Sequence, residues 1–213
     1  MKHYSLNDIS SLDRIFRINL INSISGYKSA NLIGTTSSNG RTNLAIFSSV
    51  VHIGANPPLL GFIMRQHTVP RHSYENILET KQFTINHVHE SFIKQAHYTS
   101  AKLDRNISEF EACGLTEEYL EEMKAPYVKE SLLKIGLQLE EVVPIKVNGT
   151  LLIIGKINHI YLPEAIIKDN GMLDLSEIQD VCITGLNTYN RVTEMDTFPY
   201  AKAAELSQSL SHP

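Results

Sequence analysis

The chain has 213 residues, 42% of them hydrophobic, which is enough for one domain with a substantial core. Its 19 basic and 23 acidic residues are nearly balanced, so the composition predicts neither a nucleic-acid partner nor a membrane-surface partner. The apolar runs are strand-sized and far shorter than a membrane span. The N-terminus lacks a secretion signal, and Cys113 and Cys182 form no CxxC pair, so we expect a cytoplasmic protein with reduced thiols.

The first 50 residues predict a helix and then a β-hairpin. Ser11 can cap a helix that carries Asp13 in its first turn. Four apolar residues at helical spacing would form the buried face of that helix: Leu12, Ile15, Phe16 and Leu20. The strand-like runs 30–36 and 42–51 are joined by a loop that contains Asn39-Gly40, the strongest short hairpin signal.

The rest of the chain predicts strands interleaved with helices. Strands are expected at 59–64, 83–86, 132–143, 151–162 and 181–184. Helices are expected at 71–80, 90–103 and 108–123. The last of these is interrupted by Gly114 and restarts with Thr116 as N-cap. Six or seven strands joined mostly by tight turns predict a closed antiparallel barrel with helical excursions.

The common catalytic signatures are missing from the sequence. The eleven glycines never fall as G-x-G, and there is no zinc-protease motif, nucleophile elbow or paired-cysteine metal site. His87 and His89 share one face at a strand end and could bind a metal together with His97. Chance clustering among nine histidines is the simpler interpretation, so no metal site is predicted.

The best candidate binding residues lie between positions 43 and 73. On a strand, Asn43, Ala45 and Phe47 share one face. Ser48 and Ser49 end that strand with hydroxyl and backbone groups that can hydrogen-bond a planar heterocycle.

A second polar group follows the next strand and leads into a helix start. Its members are Arg65, Thr68, Arg71, His72 and Ser73. Two permanent cations, two hydroxyl donors and the free amides of a helix N-terminus suit a phosphate. A solvated loop whose arginines point outward explains the same residues equally well, so physical reasoning alone leaves both interpretations open.

The chain from about Gly26 to Tyr189 resembles the flavin reductase-like, FMN-binding split-barrel family. The matching segments follow the family order: Thr35-Thr36 with Asn39-Gly40, Asn43 to Ser49, Asn56 to Leu59, Thr68 to Ile77, Phe83 to Asn86, Glu109 to Glu111 before Gly114-Leu115, and Ile154 to Ile157. The resemblance implies a mainly β fold with helical excursions, an antiparallel Greek-key split β-barrel. It also implies a homodimer with flavin near the subunit interface.

The family's binding residues can be carried over to matching positions. The resemblance implies that Asn43, Ala45, Phe47, Ser48 and Ser49 flank the isoalloxazine and ribityl chain. It implies that Arg65, Thr68 and Arg71, with His72 and Ser73, hold the phosphate. The usual Lys-Asp-Thr before the helix is replaced here by the stretch 69–73. FMN is favoured over FAD because only one phosphate cluster is present.

Three functions remain open at this point. The first is an NAD(P)H-dependent flavin reductase, in which no side chain is catalytic because the chemistry belongs to the flavin. The second is a flavoredoxin-like FMN electron carrier that does not oxidise NAD(P)H, and the third is a barrel that has lost flavin. The expected plan is one domain, with a helical extension over 1–25, the split barrel over 26–190 and a polar tail over 191–213.

Overall fold

The computed structural model describes residues 1–65 and 71–203. Within these ranges the α-helices are α1 (Leu6–Ser11), α2 (Arg14–Ser23), α3 (His72–Thr80), α4 (Ile93–Tyr98) and α5 (Glu109–Cys113). The strands are β1 (Lys28–Ser29), β2 (Asn31–Thr36), β3 (Thr42–Phe47), β4 (Val51–Ala55), β5 (Pro58–Met64), β6 (Gln82–His87), β7 (Glu117–Glu118), β8 (Tyr127–Val128), β9 (Lys134–Ile145), β10 (Thr150–Tyr161), β11 (Val181–Thr184) and β12 (Thr188–Arg191). Short 3₁₀ turns occupy Glu90–Phe92 and Glu164–Ile166. No helix among these residues is long and apolar enough to cross a membrane.

Seven strands form one antiparallel sheet in the order β3-β2-β6-β9-β10-β5-β4. A three-stranded sheet, β1-β11-β12, and the two-stranded pair β7-β8 lie beside it. The antiparallel, mainly β fold expected from the sequence is therefore confirmed. The five later strands predicted from periodicity all form, with ends that move by at most two residues.

The sheet curls without closing. Its two edge strands, β3 and β4, are consecutive in the chain and are joined only by residues 48–50. This short link brings opposite edges together, and the rings of Phe47 on β3 and Phe62 on β5 lie 4.9 Å apart. No ladder pairs β3 with β4, however, so the expectation of a closed barrel was wrong and the barrel is split. Alternating hydrophobicity indicates strands but cannot indicate whether the last pair of edges bonds.

The core has two parts on the two faces of β2, a strand that is buried at every position. Ile33 packs into the interior of the curled sheet with residues such as Phe62 and Phe83, and Ile77 of α3 joins this cluster. Leu32 faces the other way. It packs in a second cluster with residues from β3, α4, α5 and β11: Leu44, Ala96, Phe110 and Val181.

Three helical expectations need correction. The helix predicted after Ser11 is α2, which begins at Arg14 because Asp13 rather than Ser11 caps it, and none of its residues is buried. Ser11 instead ends a separate helix, α1. The segment 90–103 forms only a 3₁₀ turn and the six-residue α4. The predicted restart at Thr116 does not occur: Gly114 ends α5 with a φ of 69°, and 117–118 pairs as a strand with 127–128.

The split is bridged by one side chain. The Ser49 hydroxyl donates to the Ile63 carbonyl at 3.3 Å and accepts from the Ile63 N–H at 3.1 Å. Ile63 lies beyond the end of the β4–β5 ladder, which reaches Gly61. A serine hydroxyl therefore takes the place of the missing strand neighbour.

We expect Ser49→Ala to lower the free energy of unfolding by about 1–3 kcal/mol, because it leaves both backbone groups of Ile63 without this partner. Ser48→Ala is the matched control, since the Ser48 hydroxyl bonds to no other described residue, and should change stability by less than about 0.5 kcal/mol. Urea denaturation followed by circular dichroism measures both. Equal losses in the two variants would contradict the bridging role of Ser49.

A candidate ligand site along strand β3

Helix α3 is fixed to the β2–β3 hairpin by a row of hydrogen bonds. The Asn43 side-chain amide donates to the Ser73 hydroxyl at 2.9 Å, and the Asn76 amide donates to the Thr35 hydroxyl at 3.1 Å. One turn further, Glu79 accepts from the Ser38 N–H at 2.9 Å. Positions 73, 76 and 79 lie on one face of a helix, so this row sets where the helix starts.

The start of α3 differs from the starts of α1 and α2 in the side chain at its N-cap position. Arg71 occupies the N-cap position and its side chain makes no capping hydrogen bond. By contrast, Ser5 and Asp13 cap the first turns of α1 and α2. The first-turn amides of α3 have no partner within the helix, and they carry the positive end of its dipole. This helix start can therefore receive an anion.

The structure brings together some of the residues predicted to bind a phosphate. Arg71, His72 and Ser73 open α3 next to Asn43, although Asn43 is 30 residues earlier in the chain. Arg65 is exposed and stands two residues after Ile63, close to the Ser49 bridge. Thr68 lies outside the described residues.

The faces of β3 are as expected from alternation. Phe47 packs toward the barrel interior against Phe62, whereas Leu44 and Ile46 pack in the second cluster. Asn43 is buried, and Ala45 and Phe47 are half-buried. The Ser49 hydroxyl is used by Ile63, so Ser49 offers a ligand mainly its backbone groups.

Within residues 1–65 and 71–203, one edge of β3 has no strand beside it. The Ser37 N–H donates to the Arg41 carbonyl at 2.9 Å, which fixes the alternation of bonded pairs along the hairpin. By this alternation the N–H and C=O groups of Thr42, Leu44 and Ile46 point away from β2. The Leu44 N–H donates to the Glu109 carboxylate at 3.0 Å. For the outward N–H of Ile46, no acceptor lies in the part of the chain that the structure describes.

Sequence reasoning gave no role to Glu109 or Asn76, although both side chains are buried at the site. Burial raises the pKa of Glu109, while the Leu44 N–H, its own backbone N–H and the nearby His72 oppose that rise. Periodicity cannot identify such residues, because their partners are 65 and 41 positions away.

Two surface depressions bear on the site. A small pocket beside the start of α3 is lined by Arg41, Asn43, His72, Asn76 and Arg105 among others. The Arg105 guanidinium is engaged by Glu75 and lies 3.8 Å from Glu79, so its charge is largely balanced.

A wider groove, lined in part by Lys94, His97 and Tyr189, contains none of the residues predicted to bind flavin. There the His97 Nδ1 lies 3.1 Å from the Tyr189 hydroxyl, and burial raises the pKa of Tyr189 to about 12. We do not assign the ligand site to this groove, because its aromatic and imidazole groups are engaged with each other.

The three histidines considered as metal ligands have separate partners. His87 Nδ1 lies 2.7 Å from an Asp180 carboxylate oxygen, and His89 Nδ1 lies 2.8 Å from the Ser91 hydroxyl. Over residues 1–65 and 71–203, no group of three or more His, Cys, Asp or Glu side chains could hold a metal ion.

Comparison with known proteins identifies the family. Residues 24–177, more than half of the chain, match the model of the flavin reductase like domain, and the chain belongs to this family.

Its fold is that of a flavin reductase candidate with a split barrel domain from Shewanella frigidimarina, with a TM-score of 0.91 and 48% identity over 94% of this chain and 100% of that one. Nitrilotriacetate monooxygenase component B from Bacillus cereus shares the fold at 21% identity, with a TM-score of 0.80 over 93% and 98% of the two chains. An uncharacterized protein from Aquifex aeolicus is 30% identical over 115 residues, a match that spans 53% of this chain and 59% of that protein.

Proposed function

We propose that the protein binds FMN along β3 and acts as an NAD(P)H-dependent flavin reductase. The observation that carries this proposal is the unpaired edge of β3, whose first residues contact the uncapped start of α3. FMN is elongated, with a phosphate at one end and a flat ring with polar edges at the other. A strand edge next to a helix start offers matching groups for both ends.

The phosphate end would bind at the start of α3. The backbone N–H groups of residues 72–74 have no partner within the helix, and the Arg71 guanidinium adds a permanent positive charge and up to two parallel donors. The Asn43–Ser73 hydrogen bond holds this end of the site rigid. One helix start provides one phosphate site, which favours FMN over FAD.

The ring end would lie along the second half of β3. The outward N–H and C=O of Ile46 can hydrogen-bond the pyrimidine edge of an isoalloxazine, and the small Ala45 side chain leaves room beside the strand. Ser48 and the backbone of Ser49 extend this polar edge, and Phe47 is held by its contact with Phe62.

When bound, the flavin would accept a hydride from the nicotinamide and pass electrons to a further acceptor. The residues of the chain bind and orient the flavin, and the reaction requires no acid–base side chain. Membership of the flavin reductase like family supports this assignment over a barrel that has lost flavin.

We also propose that two chains form a homodimer that shares the site. Several apolar residues in 90–123, including Phe92 and Phe110, are buried within the chain and cannot contribute to a dimer interface. Other surfaces support the proposal. The edge strand β4 exposes Val51 and Ile53, and α2 exposes a face that includes Phe16.

Light scattering should give twice the 23.9 kDa of one chain; a 23.9-kDa particle that still holds flavin would contradict the dimer.

The purified protein should be yellow, should release FMN on heating and should oxidise NADH or NADPH in the presence of flavin. Chromatography with mass analysis identifies the released cofactor, and loss of absorbance at 340 nm measures turnover. Release of FAD instead of FMN would overturn the cofactor assignment. A yellow protein that oxidises neither nucleotide would point to an electron carrier.

Arg71→Ala should weaken FMN binding by about 2 kcal/mol, or roughly thirtyfold, because it removes a charge-assisted contact to the phosphate. Riboflavin has no phosphate, so its affinity should stay almost unchanged. The matched control is Arg191→Ala, which removes an exposed arginine paired with Glu90. Flavin fluorescence quenching measures both dissociation constants. Equal FMN affinity in Arg71→Ala and wild type would remove Arg71 from the phosphate site.

A further inference from the structure

Glu109 is a buried acid that the proposed ligand contacts do not use. It is the first residue of α5 and is only 6% exposed. Its carboxylate accepts the outward Leu44 N–H at 3.0 Å. Leu44 stands between Asn43 and Ala45, two of the residues proposed to face the flavin.

The bond from Leu44 replaces a missing strand neighbour. The Thr42 hydroxyl, two residues earlier on the same edge, donates to Glu117 at 2.6 Å and lies 2.8 Å from the Ser108 hydroxyl. Side chains from 108–117 therefore hold the first half of the β3 edge. Beyond Leu44, the described part of the chain makes no such contact with the edge, and the outward amide of Ile46 follows.

Glu109 also lies close enough to His72 for the two to interact electrostatically. His72 begins α3, so the carboxylate that binds the β3 edge also interacts electrostatically with the helix start. Asn43, the residue before Leu44, donates to Ser73 in the first turn of α3 at 2.9 Å, so a displaced Leu44 would disturb the link between the strand and the helix start. Because its Leu44 contact is backbone, Glu109 can fix the strand without touching the ligand.

We infer that Glu109 is a positioning residue, which holds the edge of β3 in register with the start of α3 so that flavin can bind across both. This inference rests on the proposed function, because it assumes that flavin occupies the β3 edge. A merely structural role would lower stability and leave the affinity of the folded protein unchanged. A positioning role lowers the affinity for every flavin and is restored by any acceptor of the right length.

The test compares Glu109→Met with Glu109→Gln. Methionine matches the length of the side chain but is only a weak acceptor for the Leu44 N–H, whereas the glutamine amide oxygen is a good one. The control is Glu111→Met, the same substitution at an exposed position on the same short helix. Dissociation constants for FMN and riboflavin are measured by fluorescence quenching, at a temperature where circular dichroism finds every variant folded.

Glu109→Met should weaken FMN and riboflavin by a similar factor, about tenfold, because one hydrogen bond to the strand is lost. Glu109→Gln should bind both flavins within about threefold of wild type, and Glu111→Met should bind like wild type. Folded Glu109→Met with wild-type affinity, or with a loss for FMN alone, would overturn the positioning role. If Glu109→Met does not fold, Glu109→Gln decides, and tenfold weaker binding of both flavins by that folded variant would overturn the inference. Wild-type protein that binds neither flavin would instead overturn the proposed function, and the inference with it.

Discussion

Among the described strands, β3 has a hydrogen-bonded neighbour on one side only, and the arrangement of the site depends on how its other edge is used. An unpaired strand edge exposes amide and carbonyl groups that need partners. In the first half, Glu109 supplies a partner for the Leu44 N–H, and Glu117 binds the side-chain hydroxyl of Thr42 beside it. The second half, around Ile46, has no such cover in the described chain and is the part we assign to the flavin ring.

A side-chain contact takes the place of strand pairing between β3 and β4, where the barrel is split. The link of three residues between β3 and β4 brings the two edges of the sheet together, but the Ser49 hydroxyl bonds to Ile63 where a ladder would otherwise continue. At the other end of β3, the hydrogen bond between Asn43 and Ser73 joins the strand to the start of α3. A strand edge and a helix start are thus held against each other by side chains far apart in the sequence.

Local sequence signals predicted much of this fold. Asn39-Gly40 and the alternation on either side identified the β2–β3 hairpin, and the composition of 71–80 identified α3. The segment after Gly114 was misread because Thr116 followed by two acidic residues is typical of a helix start. In the structure Thr116 does not begin a helix. Its N–H donates to the Glu130 carboxylate, and the next two residues pair with 127–128. A partner distant in sequence decided the outcome.

The candidate site was predictable in its strand and helix residues but not in its supports. Asn43, His72 and Ser73 could be selected because polar groups at a strand face and at a helix start have clear uses. The sequence could not predict that Glu109 is buried or that the Ser49 hydroxyl bonds to the backbone. Each side chain binds a backbone group that only folding brings close. Residues 66–70, including Thr68, lie outside the described structure, so the contact of Thr68 with a phosphate stays a prediction.

A crystal structure of the protein with FMN bound would test the proposed binding mode most directly. We expect the isoalloxazine to hydrogen-bond the outward backbone groups of Ile46, with the phosphate on the first-turn amides of α3 beside Arg71. A flavin bound in the groove lined by His97 and Tyr189, or a phosphate far from the start of α3, would contradict it.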